Sequence, residues 1–463
     1  MKKLFLFALI AWSLWGCETF EELNTNRNEP ESVSGDLALP TVIFELSNFV
    51  VNQSYWFGEN VSQYTATYEQ RAYDEYNWTS DGTYWALYDI IQDAQVVGDF
   101  GKENELVNYE AIAIILKAYM FSLITDVYGD IPFTEANQAA AGIIAPAYDT
   151  QESIYQALLA QLEAANSMID TDGTVNGDIL FQGDMLRWKQ FANSLRVRLL
   201  MRASSVQNVG AALTSLLNAP DTYPMFASTD DEAAYQYSGA LPDISPYSNG
   251  VGRLYNYFLG VPTTHFVREL QTNDDPRIHE WLGVSADAGA FVGVVPGLNL
   301  SEVGRPNEFA SKDTSFFLEP AKIKGIFMTY AELNFLLSEA AMEGFITGDP
   351  AEYYARGVQA SFDQWGVSMP ADFTSTTAPY SQENLYTQKW LALYHCGAQG
   401  WLDWKRTGQP DFIQAGPGTR NGGQVPVRLM YPALEQSVNA SNYETAASRI
   451  GGDNINSRVW WDN

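Results

Sequence analysis

The stretch Tyr109-Glu-Ala-Ile-Ala-Ile-Ile-Leu-Lys-Ala-Tyr-Met-Phe-Ser-Leu-Ile-Thr-Asp-Val-Tyr-Gly129 decides the fold class. Tyr109, Ile112, Ala113, Leu116, Tyr119, Met120, Leu123 and Val127 recur three and four residues apart, which lines one face of a helix, and Gly129 supplies a stop. Working outward, Asp149 or Thr150 can cap a second helix bearing Ile154, Tyr155, Leu158, Leu162, Ala165 and Ile169. A third stripe holds Trp188, Phe191, Ala192, Leu195 and Leu199, and carries Arg187, Lys189, Arg196, Arg198 and Arg202 on its other face, cations expected to pair with neighbouring carboxylates. Further stripes run through Tyr330, Leu333, Leu337, Ala340 and Ala341, through Tyr354, Val358 and Phe362, and through Leu385, the stem of Lys389 and Leu393. Consecutive helices that each show an apolar face must stack to bury it, so the expectation is a mainly α fold of paired helices, as in helical-repeat scaffolds. No clean 34-residue repeat is present in the sequence.

The N-terminus reads differently. Met1-Lys2-Lys3 precedes an apolar run from Leu4 to Leu14, then Trp15, Gly16 and Cys17. Eleven residues, all apolar but Ser13, are too few for a membrane span of ~20, and the positive start marks a secretory signal peptide over residues 1–16. Leu14-Trp15-Gly16-Cys17 resembles the lipobox of bacterial lipoproteins, in which the cysteine is lipidated and becomes the mature N-terminus. Residues 17–35, polar and rich in Glu and Asn, read as a lipidated flexible tether, and 36–463 as one domain. The second cysteine, Cys396, lies in an apolar helical context and reads as a buried, inert thiol with no disulfide partner.

Charge and motifs exclude several function classes. With 26 Lys and Arg against 56 Asp and Glu the formal net charge is −30, which makes nucleic acid a poor partner. There is no phosphate-binding Gly-x-x-x-x-Gly-Lys-Ser/Thr loop, no Gly-x-Ser-x-Gly elbow and no His-Glu-x-x-His helix. His265, His279 and His395 show no metal-ligand rhythm, and no metal or cofactor site is expected; whether calcium steadies a loop is left open. Gly416-Pro-Gly418-Thr-Arg-Asn-Gly-Gly423 departs from a nucleotide loop at Asn421 and Pro417 and reads as a connection. A glycosidase needs two facing carboxylates, and 56 acids neither locate nor exclude such a pair.

Aromatic residues carry the candidate site. Sugar rings pack their C–H faces on aromatic planes while amides and carboxylates bond the hydroxyls. Tyr55-Trp56-Phe57 and Tyr73-Asp-Glu-Tyr76-Asn77-Trp78 alternate aromatic and polar residues outside any helical stripe. Trp56, Tyr73, Tyr76 and Trp78 are the candidate ligand platforms, with Asn77 and Asp74 as hydroxyl partners; the alternative is that these rings fill a seam between helices. Tyr55, Trp281 and the Phe316-Phe317 region are lesser candidates, the last two because the Gly-rich segment 283–304 reads as a mobile surface loop. Trp85 and Tyr88 read as core, and Trp188, Trp390, Trp401, Trp404, Trp460 and Trp461 as architectural.

An ordered set of blocks resembles the SusD/RagB family of nutrient-binding outer-membrane lipoproteins, most of all its SusD-like, starch-binding-associated branch. The blocks are Glu22-Leu-Asn-Thr-Asn-Arg-Asn-Glu-Pro30, Ala118 to Glu135, Tyr148-Asp-Thr-Gln-Glu-Ser-Ile-Tyr155, Gly183 to Arg202, Asn273-Asp-Asp-Pro-Arg277, Met328 to Ala340, Gln388-Lys-Trp390, Trp401 to Gly408, Tyr431-Pro432 and Trp460-Trp461-Asp462. The resemblance implies a SusD-like fold in which tetratricopeptide-like helix pairs form a scaffold, mainly over about 85–215 and 325–410, and long loops build a binding face. It further implies a lipid-anchored, cell-surface protein of the outer membrane that captures oligosaccharides for a SusC-like TonB-dependent transporter and performs no catalysis. Two alternatives remain: a peptide-capturing, RagB-like receptor of the same architecture, and a secreted glycoside hydrolase.

Overall fold

Helix starts are set by short polar side chains that accept the first free backbone N–H groups. Thr150 takes the Ser153 N–H, Asp184 those of Leu186 and Arg187, Thr263 that of Phe266, Thr329 that of Glu332, Asp349 that of Ala351 ahead of Pro350, and Ser381 that of Asn384. Of the two candidate caps at 149 and 150, Thr150 does the work; Asp149 instead accepts the N–H groups of Phe133 and Thr134. Gly129 ends its helix at φ +90°, a conformation that disfavours any residue with a Cβ.

The computed structural model describes residues 34–67, 72–248, 260–302 and 304–462, so the signal segment, Cys17 and most of the tether lie outside the described residues. Gly35–Asn463 form one compact unit. Its main helices are α1 (Gly35–Gln53), α2 (Leu87–Glu103), α3 (Val107–Tyr128), α4 (Gln151–Met168), α5 (Met185–Arg202), α6 (Gly210–Asn218), α7 (Thr264–Thr272), α8 (Tyr330–Met342), α9 (Pro350–Gln364), α10 (Gln382–Ala392), α11 (Gln399–Thr407) and α12 (Ala440–Arg449). Besides short helical turns, the described secondary structure holds four two-stranded antiparallel ribbons: β1 (Thr65–Thr67) with β5 (Gly260–Pro262), β2 (Ile131–Pro132) with β3 (Tyr148–Asp149), β4 (Ala233–Tyr235) with β8 (Gly325–Met328), and β6 (Leu282–Gly283) with β7 (Ser311–Lys312).

Chain neighbours pack in pairs: α1 on α2, α2 on α3, α3 on α4, α4 on α5, and separately α8 on α9 and α10. This is the mainly α, paired-helix scaffold that the stripes imply. Helix α3 is long and apolar enough to cross a membrane, yet it is buried within the fold and serves as the core helix. A smaller apolar core forms between α8, α9 and α10 from Phe335, Tyr354, Val358, Phe362 and Leu385.

Buried ion pairs join the two helix groups. The Arg198 guanidinium on α5 grips Glu332 of α8 with two bonds of 2.6 Å and donates to the Phe327 carbonyl at 2.8 Å. Arg202 meets Asp126 of α3 at 3.1 Å, and Arg196 pairs with Glu163. Arg196, Arg198 and Arg202 therefore pair as their sequence context implies, whereas Arg187 donates to a backbone carbonyl, that of Asp230, and Lys189 makes no ion pair among the described residues. Lys389 ends buried between Glu339 at 2.8 Å and Asp403 at 2.7 Å. Cys396 is buried, and burial pushes its thiol well above the usual range, which leaves it unreactive.

Candidate functional site

The aromatic residues singled out above converge where α1 changes pitch. Helix α1 runs without interruption into a π-helical turn, Ser54–Gly58, and a single α-helical turn, Glu59–Val61. Such wide turns re-aim side chains and recur at functional sites. The Ser54 hydroxyl lies 2.9 Å from the carbonyls of Val50 and His395 and accepts the Gly397 N–H at 2.8 Å, which ties the turn to the loop after α10. Gly58 makes this approach possible, because a Cβ there would stand 2.6 Å from the Gly397 carbonyl carbon and closer still to its oxygen.

The turn sends its rings in two directions. Phe57 points inward and is ringed by Tyr73 and Trp78 at 5.5 Å, Trp401 at 5.4 Å and Tyr84 at 6.0 Å. Trp56 points outward and is 37 % exposed, alone among the described tryptophans in being an exposed residue. Tyr55 supports it edge-on at 4.9 Å and is itself backed by Tyr247 at 5.1 Å and by the Lys312 ammonium 4.6 Å from its ring centre. Beneath them Glu59, fully buried, pairs with Lys312 at 2.6 Å and accepts the Tyr247 hydroxyl at 2.8 Å. Burial pushes the Glu59 carboxyl up and the Lys312 amine down, each resisted by the other, while burial and then Lys312 hold the neighbouring His395 neutral. This packed base fixes the Trp56 platform in place.

The turn at 72–81 forms the second part of the face. Tyr73 and Trp78 are half-buried, meet at 6.1 Å, and are joined by the Trp78 indole N–H donating to the Tyr73 carbonyl at 3.2 Å. Asn77 is exposed beside them, and its carboxamide makes no hydrogen bond among the described residues. Burial, and then Asp81, push the Tyr73 hydroxyl up, so it stays a neutral donor. Ring contacts bring Tyr73, Tyr76 and Trp78 together around Phe57, and Trp56 together with Tyr55; the two groups are connected through the π-helical turn.

Four expectations need correction. Tyr76 is buried at φ +53°, and its hydroxyl accepts from the Gln63 amide at 2.9 Å, so it shapes the turn instead of facing a ligand. Asp74 is buried and accepts the Thr67 hydroxyl at 2.5 Å together with the Thr67 N–H, which makes it a turn organiser. Trp281 is fully enclosed, stacked on Phe266 at 5.6 Å with the Arg277 guanidinium 5.3 Å from its ring, and Phe316 and Phe317 are likewise buried; apolar faces of this size are driven inward whatever follows them in sequence. The Gly-rich segment after Trp281 is held by close backbone contacts: a Cβ at Gly416 would stand 2.7 Å from the Gly297 carbonyl oxygen, and one at Gly418 2.6 Å from that of Leu298.

The loop after α11 was read from sequence as a mere connection, yet it clamps the face. The Gln414 carbonyl accepts from Gln63 at 2.7 Å, and Arg420 donates its N–H to the Glu75 carbonyl at 2.6 Å and pairs with the Glu75 carboxylate at 2.9 Å. No sequence signal marks this partnership, because the residues stand more than 340 positions apart. Trp85 and Tyr88 are half-buried against Tyr128 and Phe121 and belong to the core edge; Trp188, Trp390, Trp401 and Trp461 are buried, Trp404 and Trp460 half-buried. Among the described residues no three His, Cys, Asp or Glu side chains come together to hold a metal ion.

Paired helices with an outward tryptophan on a braced turn define a helical scaffold protein with an exposed aromatic face. The chain belongs to the SusD-like family: the family model described as starch-binding and associating with the outer membrane matches residues 27–432. It is accordingly a nutrient-binding protein associated with the outer membrane, in a family of binding proteins. Its fold is similar to that of a SusD homolog of Bacteroides fragilis (22 % identity, TM-score 0.83, covering 93 % of this chain and 100 % of the other). It is also similar to a chitin-binding protein (25 %, TM-score 0.78, 93 % and 99 %) and to a chitin-binding SusD homolog from Flavobacterium johnsoniae (22 %, TM-score 0.77, 93 % and 98 %). No curated protein matches the chain.

Proposed function

We propose that this protein is a lipid-anchored receptor on the cell surface that captures an oligosaccharide on the face formed by Trp56, Tyr55, Tyr73, Asn77 and Trp78 and passes it to a SusC-like TonB-dependent transporter. The observation that carries the reading is Trp56, a large apolar ring held outward on a π-helical turn whose base is packed and ion-paired. A ring held partly in water on a rigid base is what a sugar C–H face needs, and the exposed amide of Asn77 supplies a polar partner. Two of the similar structures are of chitin-binding proteins, which favours a glycan over a peptide.

Binding without chemistry fits the carboxylates of this face. Asp74 is bonded to Thr67, Glu75 to Arg420, Glu59 to Lys312, and Asp81 caps Thr83 at 2.7 Å. Each already serves the turn it sits in, whereas hydrolysis needs an opposed pair, one of them able to donate a proton. Cys17 would carry the lipid and residues 18–35 the tether. A calorimetric screen of the purified protein against glycans and a peptide mixture, with product analysis, tests the reading. Saturable heat with one glycan class and no product supports it; heat with peptides alone or release of shorter sugars overturns it. Incorporation of labelled fatty acid that disappears in Cys17→Ser tests the anchor.

A further inference from the structure

An open cleft borders the same clamping loop. Helix α7 contributes Arg268 and Glu269, the first turns of α10 contribute Glu383 and Thr387, and the loop after α11 contributes Asp411 and Phe412; together they line a cleft of about 610 Å³. That is within the ~300–1,000 Å³ typical of small-ligand sites. Phe412 forms an apolar wall held in one position, stacked on His265 at 5.2 Å and edge-on to Trp390 at 5.1 Å. The Arg268 guanidinium lies 5.3 Å from the same ring and pairs with Glu269 at 2.7 Å.

Arg268 and Glu269 satisfy each other, while other polar side chains around that wall have no protein partner among the described residues. Glu383 and Asp411 are exposed and form no ion pair among the described residues. Thr387 is only 6 % exposed, lines the cavity, and its hydroxyl has no hydrogen-bond partner among the described residues. A nearly buried hydroxyl without a protein partner is a group that a ligand can satisfy. Three carboxylates face one guanidinium here, so the local field disfavours an anionic guest. The lining does not bring three acids close enough for a metal ion. An apolar wall edged by carboxylates, a hydroxyl and the amides of Gln382 and Gln409 matches a polyol ring.

We propose that this cavity is a second saccharide subsite, selective for a sugar unit without anionic groups, that extends the footprint of an oligosaccharide held at the Trp56 face. The proposal rests on the carbohydrate reading above. The loop that walls the cavity with Phe412 runs on to Gln414, bonded to Gln63, and to Arg420, paired with Glu75. One continuous segment therefore borders both the cavity and the turn at 72–81.

The test is calorimetry of the full protein with chito- and malto-oligosaccharides from disaccharide to octasaccharide, and with galacturonate oligomers. The variants are Glu383→Gln/Asp411→Asn, Thr387→Val and Trp56→Ala. In the bound series, affinity is expected to rise with chain length, and the double variant to lose about tenfold for the octasaccharide while leaving the disaccharide unchanged. Methyl NMR of labelled Thr387 is expected to shift with the long sugar only, which reports occupancy even if a variant folds poorly. Unchanged octasaccharide affinity in the double variant, a silent Thr387 methyl, or galacturonate oligomers that shift it equally well would each overturn the subsite. If Trp56→Ala leaves disaccharide binding intact while the double variant still weakens the octasaccharide, the Trp56 face is wrong and the subsite stands. If no oligosaccharide binds the wild type, both fall.

Discussion

Replacing Gly58 by alanine tests whether the tight seam between the π-helical turn and the loop after α10 holds the binding face. The new Cβ would stand 2.6 Å from the Gly397 carbonyl carbon and 3.2 Å from the Ala398 nitrogen. Carbon atoms rest about 3.5 Å or more apart, so the two backbones must separate by roughly 1 Å, and backbone cannot swing aside as a side chain does. Overpacking of this kind costs about 1–3 kcal/mol. The same separation stretches the 2.8 Å bond from Gly397 to Ser54 and the 2.9 Å contact of Ser54 with the His395 carbonyl, each contributing about 1 kcal/mol. The expected total is about 3–5 kcal/mol, with a weakened glycan affinity because the base of Trp56 shifts. Urea unfolding followed by tryptophan fluorescence reads the first effect and calorimetry the second. A Gly58→Ala protein within about 0.5 kcal/mol of wild type, with the same affinity, would refute the reasoning.

Glu232 is buried, accepts the Tyr330 N–H at 2.9 Å, and burial raises its carboxyl from 4.5 to about 8. A raised folded-state value means that its contribution is fully present below about pH 4.5 and is lost as pH rises towards 8; Glu232→Gln is therefore expected to gain about 3–5 kcal/mol on wild type at pH 8 and little at pH 4.5. Melting curves across that range check it, and superimposable pH profiles would contradict it. Arg198→Met leaves Glu332 buried without its partner and is expected to cost about 3–5 kcal/mol, most of it recovered in Arg198→Met/Glu332→Leu; urea midpoints decide, and a double variant as unstable as the single one counts against the pairing argument. In a protein with Cys17 replaced, Cys396 is expected to resist thiol reagents until denaturant is added, and rapid labelling of the native state would show that the burial is wrong.

Much of the scaffold was legible because its helices keep apolar residues at helical spacing, even where, as in α3 and α5, burial extends to nearly every face. The runs through Ile112, Ile154, Phe191, Leu333, Val358 and Leu385 lie in α3, α4, α5, α8, α9 and α10. Helix α1 went unread although Leu39, Val42, Ile43, Leu46 and Val50 keep helical spacing and are buried, because Pro40 interrupts the pattern near its start. The candidate face was legible only in part. Aromatic residues alternating with polar ones located the turn at 72–78, but which ring faces out is a tertiary matter: Tyr76 turns inward through its positive φ, and Trp281 folds onto Phe266. The outward aim of Trp56 depends on a π-helical turn, which leaves no mark in hydrophobic periodicity. The clamp from Gln414 and Arg420 is contact between residues far apart in the chain, and no local pattern encodes it.

In the proposed receptor Trp56 is a binding platform and not a packing residue, and calorimetry of wild type and Trp56→Ala with the glycan that binds separates the two roles. Because the ring is 37 % exposed and rests mainly on Tyr55, its removal is expected to cost about 1 kcal/mol of stability or less. The same change is expected to cost about 2 kcal/mol or more of binding, a weakening of roughly thirtyfold in Kd. An unchanged Kd, or a stability loss as large as the binding loss, would contradict the account.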